Sequence, residues 1–170
     1  MLVSTRLKKI LCCSLASVLL ACALLWLADR VWPLPLPKDD LARVVLAEDG
    51  TPLWRFADAN GVWRYPVSTD QVSAYYLDAL LTYEDRWFFR HPGVNPLALG
   101  RAAWQNLTGG RVLSGGSTLS MQVARLLDPH ERTLTGKVRQ LWRTAQLEWH
   151  LSKDQILNLY LNRAPFGGTL

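Results

Sequence analysis

From Ile10 to Ala28 the chain is almost continuously apolar, a run of 19 residues. A helix needs roughly 20 apolar residues to cross the hydrocarbon core of a bilayer. The run therefore predicts a membrane anchor, which limits how much chain is left to fold outside it. Arg6, Lys8 and Lys9 come just before it. Basic residues stay on the cytoplasmic side, so the N-terminus is expected inside and everything after residue 30 outside. Trp26 and Trp32 fall where interfacial aromatics sit. A cleaved signal peptide is a weaker alternative, because the run is long and lacks a clean small-x-small site before a polar start. Leu19-Leu20-Ala21-Cys22 loosely resembles a lipoprotein processing box, yet the chain stays apolar beyond Cys22. All three cysteines (Cys12, Cys13 and Cys22) lie inside this run. The outer part therefore has no disulfide framework, thiolate metal site or cysteine nucleophile.

The chain has 170 residues, room for one anchor and one domain. Hydrophobic residues make up 49% and charged residues 19%, a globular mix. The net charge of +5 comes without a dense Lys/Arg stripe. An anionic lipid surface or anionic substrate explains it better than nucleic acid does.

The expected organisation is a cytoplasmic tail over 1–9, the anchor over 10–28, and a proline-rich linker over 29–42. A short β segment over 43–66 and a helical domain over 67–170 follow. Trp32-Pro33-Leu34-Pro35-Leu36-Pro37 is stiff and extended. Asp49-Gly50 and Asn60-Gly61 separate the alternating runs Val44–Leu46, Leu53–Phe56 and Val62–Tyr65, a hairpin pattern. From residue 69 the period becomes helical. Thr69 or Asp70 can open a helix that carries Val72, Tyr76, Leu80 and Tyr83 on one face and ends at Glu84. Asn95-Pro96 reads as an N-cap with proline at N1, opening a helix that stops at Gly109-Gly110. Ser117 starts another, running to Asp128-Pro129. A long helix covers 135–149, and Ser152 with Gln155 forms a capping-box pattern before the last one. The fold class is mainly α.

Glu84 stands at a helix end among Tyr83, Trp87, Phe88 and Phe89. Partial desolvation there suits a carboxylate that accepts a proton. The plainer reading is an ion pair with Arg86 or Arg90. Asp85 by default orients a backbone group or an arginine. Gly115-Gly116-Ser117-Thr118 lets backbone approach a ligand and offers N–H groups at a helix start. A simple turn and cap would look the same, and the Lys-Ser/Thr ending of a nucleotide P-loop is missing. Arg125, Lys137, Arg139 and Arg143 supply charge that suits a pyrophosphate, or form a solvated basic face. His91, before Pro92-Gly93, reads as a structural hydrogen-bonding residue in a turn. His130 and His150 show no metal-ligand spacing.

Together these segments resemble the glycosyltransferase domain of class A penicillin-binding proteins. Glu84-Asp85-Arg86-Trp87-Phe88-Phe89-Arg90-His91-Pro92-Gly93 is similar to its first motif. Gly115-Gly116-Ser117-Thr118-Leu119-Ser120-Met121-Gln122 is similar to the second. Leu147-Glu148 and Ser152 through Asn162 are similar to the fourth. The resemblance implies a lysozyme-like helical fold. It also implies polymerisation of lipid II into β-1,4 glycan strands, with Glu84 as the base that deprotonates the acceptor 4-hydroxyl. Asp85, Arg86, His91, Ser117, Thr118, Gln122, Arg125, Lys137, Arg139, Gln140 and Asn162 become candidate substrate-binding residues. The implied partners are lipid II, the growing strand, membrane lipids and other wall-synthesis proteins. A divalent cation, magnesium or manganese, is implied only as an assistant brought with the substrate.

The third motif departs from Arg-Lys-x-x-Glu, reading Gly136-Lys137-Val138-Arg139-Gln140. Gln140 then positions by hydrogen bonding, and Arg139 is expected to replace the missing arginine. Met121 replaces a usual glutamine, and Arg125 a common lysine. Family members continue past Leu170, so the chain reads as an N-terminal part whose own activity is in question, and no Ser-x-x-Lys transpeptidase signature is present. A lysozyme-like glycan hydrolase and a non-catalytic lipid II- or partner-binding module are the competing functions.

Overall fold

The computed structural model describes residues 2–37, 42–58, 61–63, 65–110 and 115–165. Asn60 and Arg64 of the expected hairpins, Ser114 and residues 166–170 lie outside the described residues. The chain divides into two compact units, Met1–Leu34 and Pro35–Leu170.

The first unit is helix α1, Leu2–Val31. At 1.5 Å per residue its 30 residues extend about 45 Å, more than a hydrocarbon core of about 30 Å requires. Lys8–Val31 is long and apolar enough to cross a membrane, and none of it is buried against protein. The expected tail over 1–9 is thus helical from Leu2 on. Near the other end the Arg30 guanidinium lies 5.2 Å from the Trp26 ring centre.

The second unit opens with a hairpin of β1 (Val44–Leu46) and β2 (Pro52–Arg55). The strands are antiparallel and pair Val44 with Arg55 and Val45 with Trp54, with an irregularity between Val45 and Leu46. Gly50 takes φ 82° in the connecting turn, a left-handed conformation that glycine adopts at least cost. The Asp49 carboxylate accepts from the Thr51 N–H at 2.9 Å. The expected third strand does not form at Val62, Trp63 or Tyr65. Asp58 closes a turn instead. Its carbonyl accepts from the Gly61 N–H and its carboxylate from the Val62 N–H, and Pro66 then removes a ladder donor.

Five helices follow: α2 (Ala74–Glu84), α3 (Pro96–Gly109), α4 (Leu119–Leu127), α5 (Leu134–His150) and α6 (Lys153–Arg163). The chain is mainly helical, as the periodicity implied. The starts are local chemistry. Asn95 accepts from the Ala98 N–H with proline at N1, and Ser152 and Gln155 form the full capping box. Two starts shift from expectation. Thr69–Gln71 is a single 3₁₀ turn closed by Ser68 and Gln71, so α2 begins after Ser73. Thr118, rather than Ser117, caps α4, accepting from the Met121 N–H.

The core lies among α4, α5 and α6. Leu119, Met121, Val123, Ala124, Leu147 and Ile156 are fully buried, with Phe88 beside them. α2 contributes no buried residue. Its expected apolar face is not a core face. Tyr83 points into solvent, 89% exposed, while Tyr76 and Leu80 wall a cleft.

Candidate active site

α2 ends at Glu84 because Asp85 leaves the helical conformation, with φ −161° and ψ 79°. This break separates two neighbouring carboxylates. Asp85 turns inward, where both of its oxygens lie 3.0 Å from His91 Nε2 and one accepts from the Leu119 N–H at 3.0 Å. The hydrogen on Nε2 faces the carboxylate, and Nδ1 has no partner among the described residues. The Asp85–His91 pair thus holds the first turn of α4, into which the Gly-Ser-Thr segment leads. Thr118 adds a second tie by donating to the Gly93 carbonyl. Gly93 needs to be glycine. Its φ is 82°, and a Cβ there would lie 2.7 Å from Glu148 Cγ and Thr144 Cγ2. Glu148 accepts in turn from Ser120 and, at 2.7 Å, from Lys153. The Lys153 ammonium sits 4.5 Å from the Phe88 ring centre, a cation–π contact.

Glu84 stays half-buried at the surface of a cleft, and its carboxylate accepts from Gln122 Nε2 at 2.8 Å. Of the neighbouring aromatics, Tyr83, Trp87 and Phe89 are exposed and only Phe88 is buried. Two clefts meet at Glu84 and Ser117. One, of about 890 Å³, is walled by Tyr76, Leu80, Gln122, Arg125, Gln140 and Tyr160. The other, of about 470 Å³, includes Arg86, Trp87, Arg101 and Gly115. The first continues into a hollow of about 210 Å³ with Arg125, His130, Arg132, Lys137 and Gln140 on its walls. Cations therefore line both clefts that meet at the Glu84 carboxylate, Arg86 and Arg101 in one and Arg125, Arg132 and Lys137 in the other and its extension. Burial, and then the like charge of Arg125, hold the Lys137 ammonium below its ordinary range. Burial, and then the Glu84 charge, push the Tyr160 phenol up.

Several expected residues are engaged within the fold. Gln140 is buried, donating to the Met121 carbonyl at 2.7 Å and accepting from Lys137 at 3.1 Å. A carboxylate there could not donate to that carbonyl. Arg139 does not fill the place of the missing arginine. It forms a two-pronged ion pair with Asp128 at 2.8 and 2.6 Å, which Arg143 joins at 2.8 Å. Both guanidiniums thus serve to anchor the end of α4. Asn162 accepts from the Val67 N–H at 2.8 Å and donates to its carbonyl at 2.7 Å, imitating a strand neighbour. It lines a different hollow, with Pro37 and Pro66. Tyr160, Arg132 and Arg101 line the clefts without having been singled out in sequence, and Tyr76 and His130 were named there only for a helix face and for metal spacing. Arg132 immediately precedes Thr133, the cap of α5, so a helix-start signal could have located it.

Among the described residues no three His, Cys, Asp or Glu side chains are grouped to hold a metal ion.

A family model described as Transglycosylase matches residues 49–170. The chain belongs to the transglycosylase family. Penicillin-binding protein 1C of Escherichia coli (strain K12) is 72% identical over 145 residues, covering 85% of this chain and 19% of that protein. Penicillin-binding protein 1B of Vibrio cholerae is 44% identical over 99 residues, 58% of this chain and 13% of its own length. Penicillin-binding protein 1A/1B of Bacillus subtilis is 38% identical over 111 residues, 65% of this chain and 12% of its own length. This transglycosylase chain thus spans less than a fifth of the length of these curated relatives. The matched segment contains Glu84, Gln122 and all the cations of the cleft.

Proposed function

We propose that this chain carries the glycan-polymerising site of a membrane-anchored peptidoglycan glycosyltransferase acting on lipid II. The observation that carries the reading is the Glu84 carboxylate, held by Gln122 at 2.8 Å, beside a hollow lined by Arg125, Arg132 and Lys137. Glu84 takes the proton from the acceptor 4-hydroxyl. That oxygen attacks the anomeric carbon of the donor, and the electron pair of the breaking C–O bond leaves on the diphosphate. The β-1,4 bond forms with inversion. A diphosphate leaves without a second carboxylic acid when cations stabilise its charge. This agrees with the walls of the larger cleft, where Glu84 is the only carboxylate among the described residues, while Asp85 of the adjoining cleft is tied to His91 and Glu131 stands on the cationic extension. A glycosidase would need a partner carboxyl group. Any divalent cation enters as counter-ion of the diphosphate, and no step depends on it.

The anchor and its preceding basic residues support an inner-membrane location with the catalytic unit on the outer face. Lipid II and the growing strand are the substrates, and other wall-synthesis proteins are the partners this reading implies. The test is to incubate the full chain in detergent with labelled lipid II. Polymer should form and disappear with Glu84→Gln. Fragments released from finished wall would favour hydrolysis, and binding without turnover would favour a recognition module.

A further inference from the structure

The hollow beside Glu84 holds a histidine that the reaction above does not use. His130 Nδ1 lies 2.7 Å from the Asp128 carbonyl oxygen. A carbonyl only accepts, so Nδ1 carries the hydrogen and Nε2 is the nitrogen left to gain or lose a proton. This is the ring's single hydrogen bond among the described residues. The ring lines both the larger cleft and its cationic extension.

Its place depends on Gly136, in the first turn of α5. A Cβ at 136 would lie 2.1 Å from the Glu131 carbonyl oxygen and 3.0 Å from His130 Cδ2. No larger residue fits while the 130–131 segment stays where it is. Position 136 is also where the resembled motif carries arginine. Glycine there removes one cation and admits the loop that brings in an imidazole. Arg139, the other candidate replacement, is spent on Asp128.

We propose that His130 is a diphosphate-binding residue of this site, its Nε2 donating to a diphosphate oxygen when protonated and supplying the charge missing at position 136. The inference rests on the glycosyltransferase reading and deepens it, because it makes the hold on the diphosphate pH-dependent. The charged groups facing the hollow are Arg125 from α4, Glu131 and Arg132 from the loop, and Lys137 from α5, with Glu84 farther along the cleft. Imidazole is the side chain whose charge changes nearest neutrality, so a comparison across mildly acidic and mildly basic conditions tests this contact. Anion binding and imidazole protonation must favour each other reciprocally.

The test uses the full chain in detergent micelles and inorganic pyrophosphate as probe. Its affinity is measured at about pH 5.5 and about pH 8 for the wild type, His130→Gln and His130→Arg. Titration of pyrophosphate itself is common to all three proteins and cancels between them. The wild type should lose about tenfold more affinity on going to the higher pH than His130→Gln does, and His130→Arg should bind tightly at both. Imidazole ¹⁵N spectra of the wild type should show Nδ1 protonated throughout and Nε2 moving on pyrophosphate addition, a readout independent of the variants' folding. Equal pH dependence in wild type and His130→Gln, or an Nε2 signal unmoved by pyrophosphate, overturns the inference while leaving the cleft's other cations in place. Absence of pyrophosphate binding at either pH would overturn the diphosphate site itself.

Discussion

Glu84 and Gln122 form one hydrogen bond across the cleft, yet they belong to very different helices. α4, which carries Gln122, buries Leu119, Ser120, Met121, Val123 and Ala124. α2, which carries Glu84, buries nothing. One wall is therefore part of the core, and the other is a ledge held mainly at its end. The difference shows how a carboxylate stays open to a cleft while its position is specified. Asp85, one residue on, is locked to His91 and to the backbone of α4, so the rigid wall fixes the terminus of the open one.

The sharpest way to break this contrast is to compare truncations on the two walls. Leu119→Ala on α4 should cost about 2–5 kcal/mol, because a fully buried leucine leaves a cavity. Tyr83→Ala on α2, at 89% exposure, should change stability by less than about 0.5 kcal/mol. Urea unfolding followed by tryptophan fluorescence measures both, and equal losses would dissolve the distinction. Next in size is Gly93→Ala, which meets Glu148 and Thr144 at 2.7 Å with φ at 82°. It should destabilise by about 1–3 kcal/mol and loosen the tie between the Glu84 terminus and α4. Amide exchange at Leu119 should rise with it.

The smallest effect concerns acid. Hydrogen bonding from Arg139, opposed by burial, holds the Asp128 carboxyl below its ordinary range. A depressed folded-state pKa adds stability above the unfolded value and loses it as pH falls through the folded one. Asp128 should therefore contribute near neutrality and begin to lose that contribution below about pH 4. Asp128→Asn should lower the melting temperature at neutral pH and flatten its fall in that acid window. An unchanged acid limb would mean the Arg139 and Arg143 pairs do not brace α4.

Most helix starts were legible because their causes are local. Asn95-Pro96 and Ser152 with Gln155 satisfy N–H groups within a few residues. The Asp49-Gly50 turn is equally short-range. The third strand was not legible, since alternation in Val62–Tyr65 had to compete with the Asp58 carboxylate and with Pro66. Within the candidate site, Glu84 stood out at its helix end and Gln122 came with the resembled motif, but their hydrogen bond joins residues 38 apart. Asn162 had the same motif-borne claim to substrate, and its partner proved to be Val67, 95 residues away.

Chain order alone specified the apolar anchor, the alternating hairpin and the capped helices, because each follows from forces acting within a few neighbouring residues. It also supplied the cations, without assigning them. Packing of α5 on α4 decided that Arg139 and Arg143 meet Asp128 while Arg125 and Lys137 line the hollow. A guanidinium's role depends on which carboxylate comes within reach, and that distance exists only after the helices have packed.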